Sequence, residues 1–88
     1  MIVKVVDRHG NPVIGARVVV TEHMEKWLRR LKEQNRVDTD PMRGRTDSKG
    51  CVYMNIHYEC RAEIAVDGVI YGHFLLDTVG TITIKVKD

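Results

Sequence analysis

The residues with the most chemical potential lie in one short stretch of the chain, His57-Tyr58-Glu59-Cys60. Imidazole, carboxylate and thiolate groups all bind zinc, but a structural zinc site takes four ligands, usually as two pairs with matching spacing. Cys51 is predicted to lie too far along its strand to help supply the second pair. The sequence therefore predicts no cofactor, and whether His57, Glu59 and Cys60 bind a metal ion stays open.

The sequence also offers two candidate nucleophiles for catalysis, a thiol and a hydroxyl group. Cys60 is predicted to lie opposite His57 in a hairpin of residues 51–57 and 60–66, which would place a base beside a thiol. Ser48 is the only serine, and it lies in an Asp-Ser-Lys-Gly turn rather than in the strand–turn–helix setting of a nucleophilic serine. A small residue that closes a hairpin and a polar turn residue explain both positions without catalysis. We therefore predict that the protein is not an enzyme.

The two cysteines are predicted to have no disulfide between them. In the same hairpin Cys51 lies opposite Val66, so roughly six residues of strand, about 20 Å, separate it from Cys60, whereas a disulfide needs Cα atoms within about 7 Å. Thiols are typical of a reducing compartment. The charged start of the chain, Met1–Gly10, lacks the apolar core of a signal peptide, and the apolar stretch Gly68–Leu76 is too short to span a membrane. We expect a cytoplasmic protein that is not associated with a membrane.

Basic side chains are concentrated in one segment. The chain carries 14 Lys and Arg against 12 Asp and Glu, a net charge of +2, and the excess lies within residues 22–50. Acidic side chains interleave with the basic ones there, and the small net charge gives little long-range attraction for nucleic acid. We predict a protein partner for this segment, with nucleic acid as the alternative. The candidate partner-binding residues are Lys26, Arg29, Arg30, Lys32, Arg36, Arg43 and Arg45.

Outside the middle of the chain, apolar and polar residues alternate along several short runs, which predicts β-strands. Turn residues separate these runs, notably around Gly10 and Pro12 and again around Asp47 and Gly50. Short strands with regular turns between them are typical of an antiparallel β-sandwich. The predicted strands are residues 2–6, 16–21, 44–46, 51–57, 61–66, 69–76 and 81–86.

One segment follows a helical period instead. Four apolar residues are spaced as on one face of an amphipathic helix, namely Met24, Trp27, Leu28 and Leu31. Thr21 is predicted to be the N-cap. We predict an α-helix over about 22–36 and, with the loop after it, an insertion of residues 22–43 between the second and third strands of a single domain, 1–88.

Several strands are apolar on both faces, so something must cover the second face. In residues 69–76, unbroken alternation predicts one face with Ile70 and Leu76 and another with Tyr71 and Leu75. We expect the predicted helix to cover such a face within the chain. Self-association through a doubly apolar face or an edge strand is the alternative.

Two glycine-containing motifs resemble those of a known family. Gly-x-Pro-Val-x-Gly-Ala-x-Val-x-Val spans Gly10–Val20, and Gly-x-Thr-Asp-x-x-Gly spans Gly44–Gly50. Both resemble carboxypeptidase regulatory-like, or transthyretin-like (prealbumin-like), domains, and residues 62–76 resemble the hairpin that those domains place after the second motif. The resemblance implies a seven-stranded antiparallel Greek-key β-sandwich, with fold-specifying turn residues at Gly10, Pro12, Gly15, Asp47 and Gly50.

The same resemblance has an implication for function. Domains of this family are usually accessory modules without catalysis of their own, and the exception is the hydroxyisourate hydrolases, which end in Tyr-Arg-Gly-Ser. This chain ends in Ile-Lys-Val-Lys-Asp, so a small hydrolase is disfavoured. We predict a non-catalytic interaction module for protein–protein binding or assembly, with the inserted helix and its loop as the contact surface.

Overall fold

β-strands form the framework of the domain. The computed structural model describes residues 1–23 and 41–87, and this part of the chain holds seven strands. Two of them, β1 and β6, have the predicted bounds, whereas β3 begins two residues before its predicted start and β4 is shorter than predicted. The strands are β1 (Ile2–Val6), β2 (Arg17–Glu22), β3 (Met42–Arg45), β4 (Cys51–Tyr53), β5 (Cys60–Val66), β6 (Val69–Leu76) and β7 (Thr81–Lys85).

The strands form two sheets around one core. A three-stranded sheet has the order β4-β1-β7, and a four-stranded sheet has the order β3-β2-β5-β6. The pair β1/β7 is parallel, and the other strand pairs are antiparallel. Alternate residues of both sheets point between them, and each fully buried aliphatic side chain there contributes about 1.5–3 kcal/mol. The core side chains with the least exposure include Val3, Val5, Val18, Val20, Ile64 and Leu76.

The predicted antiparallel Greek-key sandwich with an inserted helix is wrong. Residues 1–23 and 41–87 contain no helix. Thr21, the predicted N-cap, lies in β2 and pairs with Glu63, and Glu22 pairs with Ala62 in the same ladder. A β-branched residue fits an extended ladder well, so the strand continues through the position where the helix was to begin. The rest of the predicted helix, residues 24–36, lies outside the described residues.

The parallel pair β1/β7 is the second departure from the predicted fold. Apolar alternation is the same in parallel and antiparallel strands, so the sequence pattern does not report strand direction. Direction depends here on where the chain crosses between sheets. Residues 77–80 connect β6 of one sheet to β7 of the other, and the Ile2 N–H donates to the Gly80 carbonyl oxygen at 2.9 Å, which sets the two strands side by side in the same direction.

The predicted hairpin of residues 51–57 and 60–66 is also wrong. β4 lies in the three-stranded sheet and β5 in the four-stranded sheet, so the two segments do not pair. Cys51 and Cys60 consequently belong to different sheets, and among residues 1–23 and 41–87 no disulfide joins them. In the same part of the chain no helix is long and apolar enough to cross a membrane.

Two loops at one end of the sheets share one hydrogen-bond pattern. Asp7 Oδ1 accepts hydrogen bonds from the backbone N–H groups two and four residues later, at 2.8 and 3.0 Å, and Asp47 Oδ1 does the same at the same distances. In each loop a glycine, Gly10 or Gly50, donates its N–H to the carbonyl oxygen of that aspartate at 3.0 Å. The two motifs that stand out in the sequence are therefore two copies of one turn.

These hydrogen bonds hold both aspartates in their ionised form. The backbone N–H of Asn11 lowers the pKa of Asp7, and that of Cys51 lowers the pKa of Asp47, each from an ordinary value of 3.8, because a carboxylate accepts hydrogen bonds better than a neutral acid. A lowered folded-state pKa adds stability above the unfolded-state pKa, and that stability is lost as the pH falls through the folded-state pKa. We therefore expect the domain to lose stability as the pH falls below the ordinary aspartate pKa of 3.8.

Asp47→Asn tests this expectation, because asparagine keeps an acceptor oxygen but carries no charge. The variant should be less stable than the wild type at neutral pH, and the gap should close as the pH falls through the folded-state pKa of Asp47. Urea unfolding followed by circular dichroism at several pH values measures the gap. Ser48→Ala, in the same exposed loop, is the control and should differ from the wild type by the same amount at every pH. A pH-independent gap for Asp47→Asn would contradict the assignment.

Candidate functional site

Arginine and histidine side chains are concentrated on the outer face of the four-stranded sheet. Along β2 and β5 the even-numbered residues Val18, Val20, Ile64 and Val66 are buried, so the odd-numbered residues point away from the core. The pairing register places the exposed arginines of β3 on the same face. We call this surface the basic face and define it by Arg17, His23, Arg43, Arg45, Arg61 and His73.

The charges of the basic face are poorly compensated. Arg17 lies directly opposite Arg45 on the neighbouring strand, and like charges in such positions destabilise a sheet. Among the described residues, two carboxylates lie on or beside the face. Glu63 is in the middle of β5, and Asp67 is in the turn after it, where its Oδ1 accepts the backbone N–H of Arg17 at 2.9 Å. All four arginines are exposed and, within residues 1–23 and 41–87, none forms an ion pair, although Arg45 Nη1 donates to the Gly15 carbonyl oxygen at 3.2 Å.

Two histidine rings meet at the far end of this face from the loops. The His23 and His73 ring centroids lie 6.0 Å apart with the rings at 80° to each other. They border an open depression of about 460 Å³ that is also lined by Arg61, Phe74 and Leu75. Residues with basic side chains on three neighbouring parts of the sheet, His23, Arg61 and His73, thus line one shallow cavity.

The β6 side of the basic face is apolar and forms the edge of the sheet. Ile70 is 60% exposed and Leu75 is 67% exposed. A β-bulge interrupts β6, because two residues, Tyr71 and Gly72, lie opposite a single residue of β5, and Gly72 has a φ of 123°. Bulges increase the local twist and make an edge strand harder to extend by another strand.

Only part of the predicted partner-binding set lies within the described residues. Arg43 and Arg45 are there, exposed on β3 and part of the basic face. The other five lie outside the described residues, namely Lys26, Arg29, Arg30, Lys32 and Arg36.

The structure separates the residues that were candidates for catalysis or metal binding. His57 and Glu59 are exposed in the segment between β4 and β5, and Cys60 is half-buried at the start of β5. The hairpin that would have set Cys60 opposite His57 is absent from the fold. In the described part of the chain no group of three histidine, cysteine or carboxylate side chains is arranged to hold a metal ion.

Sequence reasoning missed most of the basic face. His23 falls within the segment predicted to be a helix and His73 within a predicted strand, and nothing in the sequence connects the two. The available signal is that Arg17 and Arg61 occupy odd-numbered positions, which face outward on their strands. Alternation alone does not show which strands are neighbours, so the cluster can be recognised only once the strand order β3-β2-β5-β6 is known.

Comparison of the chain with family models, with curated proteins and with solved structures finds no match. The resemblance to transthyretin-like domains therefore stays a prediction that depends on the two turn motifs.

Proposed function

We propose that this protein is a non-catalytic binding module that receives an acidic protein surface on its basic face. The observation that carries the proposal is the pair Arg17 and Arg45, directly opposite each other on neighbouring strands with no ion pair from either side chain within residues 1–23 and 41–87. Such a pair lowers the stability of the isolated sheet. A partner that supplies carboxylates relieves the repulsion, since guanidinium groups bind carboxylates in a two-pronged geometry.

The apolar side of the same face favours a protein partner over nucleic acid. Ile70 and Leu75 are largely exposed beside the arginines, and a basic surface with an apolar margin suits a protein interface, in which arginine is enriched. Single-stranded nucleic acid is usually held by aromatic rings that stack on the bases. On this face, as far as the structure describes it, the only outward rings are the imidazoles of His23 and His73.

The contact surface in this proposal is a sheet face rather than a helix. Of the residues that the sequence analysis selected, Arg43 and Arg45 keep their role, because they point outward from β3 beside β2. A face built on paired strands holds its side chains at fixed spacing, so little conformational entropy is lost when a partner binds.

Two observations support the absence of catalysis. Cys60 and His57 do not face each other across a strand pair. Ser48 is exposed in the Asp47 loop, where the hydrogen bonds of that loop run to the aspartate rather than to the serine.

Charge reversal on one sheet tests the proposal. Arg17→Glu/Arg45→Glu should weaken binding of a fluorescent poly-glutamate chain by about ten-fold or more at low salt, because two facing cations become anions. Lys4→Glu/Lys85→Glu makes the same change in net charge on the exposed outer positions of the three-stranded sheet, and it should change the affinity by less than about three-fold. Fluorescence anisotropy titrations over a range of salt concentrations measure both variants.

Two results would count against the proposal. Equal losses in the two double variants would mean that net charge, and not the basic face, governs binding. Tighter binding of a single-stranded oligonucleotide than of poly-glutamate at the same salt concentration, with a steeper salt dependence, would replace the acidic protein partner with the nucleic-acid alternative.

A further inference from the structure

We propose that His23, Arg61 and His73 form a binding site for a phosphoryl group. The inference rests on the proposed function, because the site lies on the basic face, and it adds the chemical group that one end of that face would recognise. Arginine is the side chain best suited to a tetrahedral oxyanion, and here it stands between two rings that become cationic on protonation.

Three neighbouring strands position the three side chains. The His23 N–H donates to the Arg61 carbonyl oxygen at 2.8 Å, so His23 continues the β2 ladder beside β5. His73 lies on the other side of β5, where it pairs with Glu63. Strands on either side of a third are roughly 9–10 Å apart, yet the two ring centroids are only 6.0 Å apart. At least one of the two rings therefore leans inward over β5.

The donor groups at this site are available to a ligand. No side-chain hydrogen bond joins His23, Arg61 or His73 to any other residue of the described ranges. The guanidinium offers a fork of N–H groups and each protonated imidazole offers two more donors. Groups of this kind make the short, charge-assisted hydrogen bonds that phosphate oxygens accept.

The depression has room for a phosphoryl group together with the group that carries it. Its volume is about 460 Å³, and Phe74 and Leu75 complete the lining. Leu75 is 67% exposed at the margin of the depression, so it can contact an apolar part of the molecule that carries the phosphoryl group.

A metal ion fits the same cluster poorly. Two histidines leave at least one further protein ligand to be found for zinc, and the described residues offer no group of three. The Arg61 guanidinium lines the depression, and it would repel a cation there.

Glu63 gives the proposal an internal test. It lies on the outer face of β5 and is the direct partner of His73 across the β5/β6 pair. Its carboxylate opposes any anion that enters the depression. Removal of that charge should therefore increase affinity for an anion, whereas a cation or a merely structural role predicts no gain.

Sulfate is the first probe, because it stays a dianion across the pH range in which histidine titrates and phosphate changes charge. NMR titration of ¹⁵N-labelled protein should show the largest amide shifts at residues 23, 61 and 73. The charged and ionisable groups of the described residues near the site are His23 directly after β2, Arg61 and Glu63 on β5, and His73 on β6.

Matched variants separate the site from general electrostatics. Arg61→Gln and His73→Gln should each weaken sulfate binding about five-fold or more, and Glu63→Gln should strengthen it about two- to three-fold. His9→Gln removes a histidine from the Asp7 loop, at the opposite end of the sheets, and should change nothing. Shifts that spread evenly over Arg17 and Arg45, or a Glu63→Gln variant with no gain, would overturn the site.

Two further binding measurements identify the kind of molecule that carries the phosphoryl group. If a phosphoserine-containing peptide with acidic neighbours binds more tightly than free phosphoserine, the group belongs to a protein partner. If the two bind equally, the site takes a small phosphomonoester, and both rankings support the phosphoryl chemistry. Arg17→Glu/Arg45→Glu should keep its sulfate shifts at residues 23, 61 and 73. Failure of the partner proposal is thereby distinguished from failure of this site.

Discussion

Replacing Gly50 with alanine should destabilise the domain by about 2–5 kcal/mol, from two separate causes. Gly50 has a φ of 75°, a conformation in which a residue with a Cβ atom is strained by about 1–2 kcal/mol. An added Cβ would also lie 2.6 Å from the Val5 carbonyl oxygen and 2.9 Å from the Pro12 Cβ. The Val5 contact is to backbone in a central strand, and the Gly50 carbonyl oxygen accepts the Val5 N–H at 2.7 Å. The loop therefore cannot move away without breaking this hydrogen bond to β1.

The sequence supplies the control for this variant. Gly10 occupies the equivalent position of the Asp7 loop, with a φ of 84° and the same hydrogen bond to its aspartate, but an added Cβ there meets nothing within 4 Å. Gly10→Ala should therefore show the conformational cost alone, about 1–2 kcal/mol. The difference between the two variants isolates the close approach of Gly50 to the first strand.

Urea unfolding of the two variants and the wild type, fitted with a common m-value, gives both free energies. Gly50→Ala should be the less stable by at least about 1 kcal/mol. Equal losses would mean that the Asp47 loop does not pack on β1 and Pro12 as described.

The strands were predictable from sequence to the extent that local alternation decides them. The runs from Ile2 to Val6 and from Val69 to Leu76 have uniform β-forming composition, and both appear with their predicted bounds. The partners of those strands were not predictable in the same way. Val3 alternates identically whether its neighbour is β4, antiparallel to it, or β7, parallel to it, because the period of two carries no information about direction.

The loops show a second limit of the sequence. The glycines and Asp47 identified two turns correctly, since turn residues act through their own backbone and near neighbours. The sequence did not indicate that Thr46 forms the hydrogen bonds that join those turns. Thr46 is 5% exposed, its Oγ1 donates to the Val13 carbonyl oxygen at 2.6 Å and it accepts the Ala16 N–H at 2.8 Å. A contact between residues about thirty positions apart leaves no trace in a local pattern.

The basic face was not predictable because a local sequence pattern identifies neither the neighbouring strand nor a contact between distant residues. Arg43 and Arg45 were selected because they lie in a basic stretch of sequence, and the structure sets them beside Arg17 through the β2/β3 register. Arg61 and His73 belong to segments whose sequence charge is balanced, so composition could not select them. Their contribution follows from the position of β5 between β2 and β6.

The bulge in β6 leads to the second prediction, because it changes which residues face the core. Unbroken alternation predicts Ile70 and Leu76 on one face. The extra residue at Tyr71–Gly72 shifts the phase, so that Leu76 is fully buried while Ile70 is 60% exposed. A shift of one residue reverses the faces of every side chain on one side of the bulge.

Three alanine variants of β6 should therefore differ sharply. Leu76→Ala should destabilise the domain by about 2–5 kcal/mol, because it removes a fully buried side chain and leaves a cavity. Leu75→Ala and Ile70→Ala should change stability by only about 0.5 kcal/mol, because both side chains are largely in solvent. Thermal and urea unfolding measure all three. A loss at Ile70→Ala close to that at Leu76→Ala would mean that β6 alternates without a bulge. In that case Ile70 would face the core together with Leu76, whereas His73, on the same side of the bulge as Leu76, would keep its outward orientation.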